Sequence, residues 1–216
     1  MERSAFLERV RLHLGSPTEV ALPDSWPDTP ATGRTADAET FQAALARNNG
    51  LARLVSVADL AEAVADEARE VSARRAVIAP DVDDYREHID RGLEDAAVEG
   101  VRPVGAEWRT AAASADLGIT SARLAVAATG SILIVPGPSS PRVASLLPPA
   151  HLAIVPADRL VGGLEDVMPV LSEMADRSSA PVLITGPSRT SDIEMTTVYG
   201  VHGPKVVRVL LVQGPP

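Results

Sequence analysis

Short apolar runs bounded by proline or glycine, alternating with helical stretches, most limit what this chain can fold into. Arg75–Ala79 stops at Pro80, Leu152–Val155 is followed by Pro156, and Val182–Thr185 runs into Gly186-Pro187. Val206–Val212 is the most β-branched run of the chain. Runs of this kind mark strands buried on both faces of a sheet. Leu51–Val57 and Val101–Val104 read as further strands, and Arg123–Ala128 with Ser131–Val135 as a hairpin turning at Thr129-Gly130. The stretches between have helical periodicity. Phe41–Ala46 ends at the capping cluster Asn48–Gly50, and Val57–Val71 carries acidic residues near its start. Asp83–Ala97, Arg142–Leu147 and Leu164–Ala175 follow, the last predicted to kink or divide at Pro169. Strands alternating with helices predict an α/β fold with a mixed, largely parallel sheet and helices on both faces.

The material of the core narrows the function. Aromatic residues are 3 % of the chain, so Ala, Val, Leu and Ile must fill it, and little is left for stacking on nucleobases. A formal net charge of −9 with no basic cluster makes nucleic acid a poor partner, yet leaves room for a local pocket that takes a small anion. There is no cysteine, so this chain holds no thiolate-ligated iron–sulfur cluster or zinc. Four scattered histidines with no H-x-x-x-H pair offer no dedicated metal site. There is no G-x-G-x-x-G either, so no cofactor is evident. No apolar run approaches the ~18 residues that span a bilayer. The start, MERSAFLERV, lacks the apolar core of a signal peptide. A cytoplasmic protein without membrane insertion is the expectation.

Residues 1–33 are predicted to be an N-terminal helix over Glu2–Leu14, with Phe6, Leu7, Val10 and Leu14 on one face, and an irregular linker over Ser16–Gly33. Residues 34–216 form the α/β domain.

Chemistry concentrates in VLITGPSRTSDIEMTTVYGVHG, Val182–Gly203. Here a strand runs into Gly186-Pro187-Ser188-Arg189-Thr190, and a short helix is predicted to follow. Ligands of open α/β sheets sit beyond the carboxyl ends of strands, and a helix start there presents free N–H groups. Gly186 permits close backbone approach, Ser188 and Thr190 offer hydroxyls, and Arg189 can grip a carboxylate or phosphate bidentately. Asp192 and Glu194 complete the candidate site. The same residues also read structurally: Ser191-Asp192-Ile193-Glu194 matches a capping box, and Arg189 can be neutralised by Asp192 or Glu194.

ITGPSRTSDIE and GVHGP, with SLLPPAHLAIVPADRLV upstream and ADLGIT before the hairpin, resemble the LutC-type LUD-domain family associated with lactate utilisation. The resemblance covers about Ser114 to Val212. It implies a fold related to ribose-phosphate isomerases, CoA-transferases and formyltetrahydrofolate cyclo-ligases. It also implies partner proteins of the LutA and LutB type that carry the iron–sulfur and redox centres. Where many members have an acidic residue, this chain has Ala128. Within the resemblance, Arg142 in the loop Gly137–Arg142 becomes a second anion contact, and Thr129 and Gly130 border the pocket. Read alone, Arg142 is a solvated charge and Thr129-Gly130 a hairpin turn.

His202, between Gly200 and Gly203, and His151, before an apolar strand, read as structural, although His202 has the chemistry of a general acid or base. Trp26 and Trp108 read as packing residues. No catalytic dyad emerges, and whether the chain is an enzyme stays open. Three functions fit: an accessory subunit of L-lactate oxidation to pyruvate, a stand-alone enzyme acting on a phosphorylated, nucleotide or CoA-type ligand, and a carboxylate-responsive regulator.

Overall fold

A computed structural model describes residues 8–9, 36–174, 180–191 and 197–215. Residues 36–215 fall in one compact unit, Ala31–Pro216. Of the expected N-terminal helix only Glu8 and Arg9 are described, both helical, and the linker and Trp26 lie outside the described residues.

Six strands form one wholly parallel sheet: β1 Leu51–Ser56, β2 Arg75–Ile78, β3 Glu99–Val101, β4 Leu117–Thr120, β7 Ala150–Pro156 and β12 Val206–Gln213, in the order β1-β12-β7-β4-β2-β3. A second, four-stranded sheet interrupts the succession after β4. It contains β5 Leu124–Val126, β6 Ser131–Ile134, β8 Leu160–Val161 and β9 Val182–Ile184, in the order β8-β5-β6-β9. β10 Arg189–Ser191 and β11 Thr197–Tyr199 make a small antiparallel pair.

The helices cover both faces of the parallel sheet, as alternation predicts. α1 is Ala38–Arg47, α2 Leu60–Glu70, α3 Arg86–Asp95, α4 Trp108–Ala113, α5 Arg142–Leu146 and α6 Val167–Met174. On one face, Leu60 and Val64 of α2 and Ile89 and Leu93 of α3 pack on Ile78, Ile119, Leu152, Ile154 and Leu210. On the other, Phe41 and Leu45 of α1 and the inner face of the second sheet (Ala125, Ala127, Ile132, Ile134) pack on Ala153, Val155, Val209 and Leu211. α4 and α5 cover Val77 and Ala79 on that side through Ala112 and Ala144, with Trp108 packed alongside. α6 seals the outer face of the second sheet against Val126 and Leu133. Small side chains let these layers approach closely. A Cβ on Gly118 of β4 would collide with the Ala144 carbonyl of α5.

Local chemistry explains the element ends. Asp37 accepts a hydrogen bond from the Thr40 N–H at 2.7 Å and so starts α1, which stops where Asn49 turns to φ 63°. Three expectations are corrected. The helix expected from Asp83 begins as a 3₁₀ turn, Pro80–Tyr85, and becomes α-helical only at Arg86. The strand expected at Val101–Val104 is Glu99–Val101, because Pro103 cannot donate to a ladder and Val104 turns out to solvent. As expected, the stretch from Leu164 divides into two short helices, Leu164–Asp166 and Val167–Met174, with Pro169 in the first turn of the second, where its missing N–H costs nothing. Most consequential, β9 is an edge strand of the second sheet, with Leu183 exposed, and not a strand buried on both faces.

Candidate functional site

β2 and β4 are neighbours in the parallel sheet, and the chain leaves them in opposite directions. From β2 it passes outward through α3 to β3; from β4 it passes through the second sheet to β7. A crevice beyond the carboxyl ends of two such strands is where open α/β sheets place ligands. Here it is a cavity of about 390 Å3, lined by Asp81, Ser121, Arg123, Ser139, Ser140 and Arg159 among others.

Its residues reach it because each directly follows a strand. Asp81 stands three positions past β2, Ser121 one past β4, and Arg159 three past β7. The Asp81 carboxylate accepts the Ser121 N–H at 3.0 Å and the Ser140 hydroxyl, while its own N–H donates to the Ser139 carbonyl at 2.9 Å. Burial pushes the Asp81 carboxyl above its usual range, against these hydrogen bonds and the nearby Arg159. The Arg159 guanidinium donates to Ser121 Oγ at 3.2 Å and to the Ala122 carbonyl at 3.0 Å, which holds it across the crevice. Two arginines, Arg123 and Arg159, thus face a cavity with one carboxylate that resists ionisation.

His151 lies beneath this wall, fully buried in β7. Thr120 Oγ1 donates its single proton to the Ser121 carbonyl at 2.9 Å, so His151 Nε2, 2.9 Å from the same oxygen, must be the donor to it. This fixes the neutral Nε2–H form and leaves Nδ1 without a partner. Burial lowers the imidazole pKa to about 4. The expectation of a structural His151 agrees with this environment.

The residues singled out from sequence are distributed differently. Gly186, Ser188 and Arg189 line a separate cavity of about 320 Å3 with Asn48, Leu183 and Thr185. Arg189 is exposed, and its guanidinium donates to Asn48 Oδ1 at 3.3 Å. Thr190 is exposed on β10. Thr129 and Thr185 are joined through Ser131, with both hydroxyl contacts at 2.8 Å, so the hairpin turn and the Gly186 loop do come together. Gly130 and Gly186 take φ values of 66° and 139°, and a Cβ on either would strike the end of α1, at Leu45 or the Asn48 carbonyl. That end is the C-terminus of α1, which presents carbonyls and the negative pole of the helix dipole. Arg189–Ser191 is a strand, paired with Thr197–Tyr199, and the short helix expected after the loop falls on residues 192–196, outside the described residues. Asp192 and Glu194 lie outside the described residues. Arg142 is exposed at the start of α5, and its loop contributes Gly137, Ser139 and Ser140 to the Asp81 cavity instead. His202 is exposed.

Asp81, Ser121 and Arg159 were not among the residues the sequence pointed to. The signal was available for two of them: Asp81 and Arg159 follow the apolar runs Arg75–Ala79 and Leu152–Val155 that read as strands, whereas Leu117–Thr120, before Ser121, was not read as one. Among the described residues no cluster of three or more His, Asp or Glu fits a metal ion, and no helix is long and apolar enough to cross a membrane.

Fold and cleft together define an α/β domain with a crevice at the switch point of its parallel sheet. The LUD domain family profile matches residues 38–212, and the chain belongs to that family. An uncharacterised protein of Neisseria meningitidis serogroup B is 28 % identical over 155 residues, 68 % of this chain and 64 % of that one. Lactate utilization protein C of Macrococcus caseolyticus is 38 % identical over 104 residues, 46 % of this chain and 45 % of its own. The Bacillus subtilis protein of the same name is 34 % identical over 105 residues, 47 % and 44 %. The chain thus spans from 44 % to 64 % of the length of these relatives. A crystal structure of a DUF162 family protein from Deinococcus radiodurans superposes with a TM-score of 0.55 at 22 % identity, over 82 % of this chain and 95 % of that one, and it shares the fold.

Proposed function

We propose that this chain is a component of lactate utilisation whose Asp81–Ser121–Arg159 crevice binds a small carboxylate. The observation that carries the reading is electrostatic. In a chain of net charge −9, the crevice at the sheet's switch point sets Arg123 and Arg159 against one carboxyl group that burial pushes toward its neutral form. The names of the relatives supply the pathway, and a lactate or pyruvate carboxylate suits the two guanidinium groups. In this reading the chain is an accessory subunit beside redox proteins of the LutA and LutB type, which carry the electrons.

The Gly186 loop offers a second reading of where the anion binds, favoured by the exposed Arg189 and the hydroxyl chain Thr129–Ser131–Thr185. Gly186, Ser188, Arg189 and Thr190 would hold the ligand, with Asp192 and Glu194 beyond them. Two arginine substitutions decide between the crevices. Calorimetric titration with L-lactate and pyruvate is expected to lose about 10- to 100-fold in affinity in Arg159→Gln, the size of one lost charge-assisted hydrogen bond, and nothing in Arg189→Gln. The reverse pattern moves the site to the Gly186 loop. Wild-type protein that binds neither acid overturns the carboxylate reading. Lactate oxidation that appears only when redox partners are added supports the accessory role, and turnover by the purified chain alone refutes it.

A further inference from the structure

A second cavity, of about 510 Å3, opens on the other side of Arg159, at the carboxyl ends of β7 and β12. Asp84, Tyr85, Pro156, Asp158, Arg159 and Val212 line it. Tyr85 is only 3 % exposed, yet no described group hydrogen-bonds its hydroxyl, although the residue borders the cavity. The ring is buried but the hydroxyl keeps access to the cavity, where an occupant can bond it. Asp84 and Asp158 make no ion pair among the described residues, and both are exposed.

The lining selects its occupant by charge. An anion would meet the Asp84 and Asp158 carboxylates, and a cation would meet the Arg159 guanidinium. An uncharged group rich in hydroxyls suits all four polar side chains: it donates to the carboxylates and accepts from Arg159 and from the Tyr85 hydroxyl. Pro156 and Val212 give such a group apolar walls for its C–H faces. Arg159 lines both cavities, so a ligand whose acid group is held in the Asp81 crevice has the second cavity as its neighbour across that side chain. Together the two spaces far exceed what a three-carbon acid fills.

We propose that the Tyr85 cavity is a second subsite, which takes the polyhydroxylated part of an acid whose carboxylate is held in the Asp81 crevice. This rests on the carboxylate reading of that crevice, and the test separates the two. The full chain is titrated calorimetrically with L-lactate, a short acid, and with D-gluconate, an acid carrying a polyol chain, with sorbitol as the acid-free control. Gluconate is expected to bind at least tenfold tighter than lactate, and sorbitol more weakly than gluconate. In Tyr85→Phe and in Asp158→Asn the ratio of the two acid affinities is expected to fall toward one. A merely structural effect of either substitution would weaken both acids alike and leave the ratio unchanged, which would overturn the subsite. Lactate binding with no gain for gluconate overturns the subsite and leaves the carboxylate crevice standing. Gluconate binding that is lost in Tyr85→Phe, with no lactate binding, keeps the subsite and rejects lactate. Binding of neither acid overturns both.

Discussion

Asp81 lines the cleft and His151 lies buried beneath it, and burial shifts both in the direction that opposes charge. Their consequences for pH have opposite signs. Asp81 has its folded-state pKa raised, so between the unfolded value and the raised one the native protein holds more protons than the unfolded chain. Stability contributed by this group therefore falls as pH rises through that window. An anion beside Arg159 also meets less repulsion while Asp81 is protonated, so lactate affinity is expected to increase as pH falls through the same window. Asp81→Asn is expected to bind at least as tightly as wild type at neutral pH and to lose this dependence, as titrations across a pH series will reveal. His151 is the reverse case. Its pKa is lowered from 6.5 to about 4, so below pH 6.5 the unfolded chain takes up a proton that the native protein refuses. Stability is thus lost as pH falls, by up to about 3 kcal/mol at pH 4. Urea midpoints measured from pH 7 down to pH 5 are expected to decline in wild type and to flatten in His151→Gln, whose amide can still donate to Thr120. Equal slopes in the two proteins would remove His151 as the cause.

Elements meet here through small residues and deliberate close approaches. β4 reaches the cleft because Gly118 lets α5 lie directly on it, with the Ala144 carbonyl over the position a Cβ would occupy. Gly118→Ala pushes α5, and with it the Gly137–Ser140 loop that contacts Asp81, away from the sheet. Overpacking of this kind is expected to cost at least about 2 kcal/mol in urea denaturation, and to weaken carboxylate binding as well. On the opposite face, Glu67 of α2 is buried between Arg53 of β1 and Arg208 of β12, at 3.6 and 3.5 Å, and ties that helix to both strands. The strand and helix identities were readable because period and punctuation report them: β1, β2 and β12 lie within a residue or two of the runs that predicted them. The place of β9 was not readable. A short apolar run before Gly-Pro has the same composition at a sheet edge as in its centre, and periodicity cannot tell these apart.

At the scale of the whole molecule, the parallel sheet, its two helical layers and the second sheet are built from described core residues between Phe41 and Val212. A chain beginning at residue 34 is accordingly expected to keep its melting temperature within about 3 °C of the full chain, a shift that corresponds to less than about 1 kcal/mol. A larger loss, read by circular dichroism, would assign the first 33 residues a share of the fold.

What the sequence determined by itself was the kind of layers: Ala-, Val-, Leu- and Ile-rich runs with too few aromatics for any other core, alternating with helices that must cover a sheet on both faces. The ITGPSRTSDIE and GVHGP segments also marked the family, because family resemblance resides in local order and spacing. Tertiary structure alone decided which strand ends share a crevice. Asp81 and Ser121 are 40 residues apart, Ser121 and Arg159 a further 38, and nothing local relates them. They meet because β2, β4 and β7 are consecutive neighbours in one parallel sheet, so that their carboxyl ends open on the same side. The Gly186 loop, for all its ligand-like composition, ends instead against the C-terminus of α1, because β9 pairs with the hairpin strand β6 rather than with the parallel sheet. Composition chooses the layers; strand order, a long-range outcome of packing, chooses which strand ends meet.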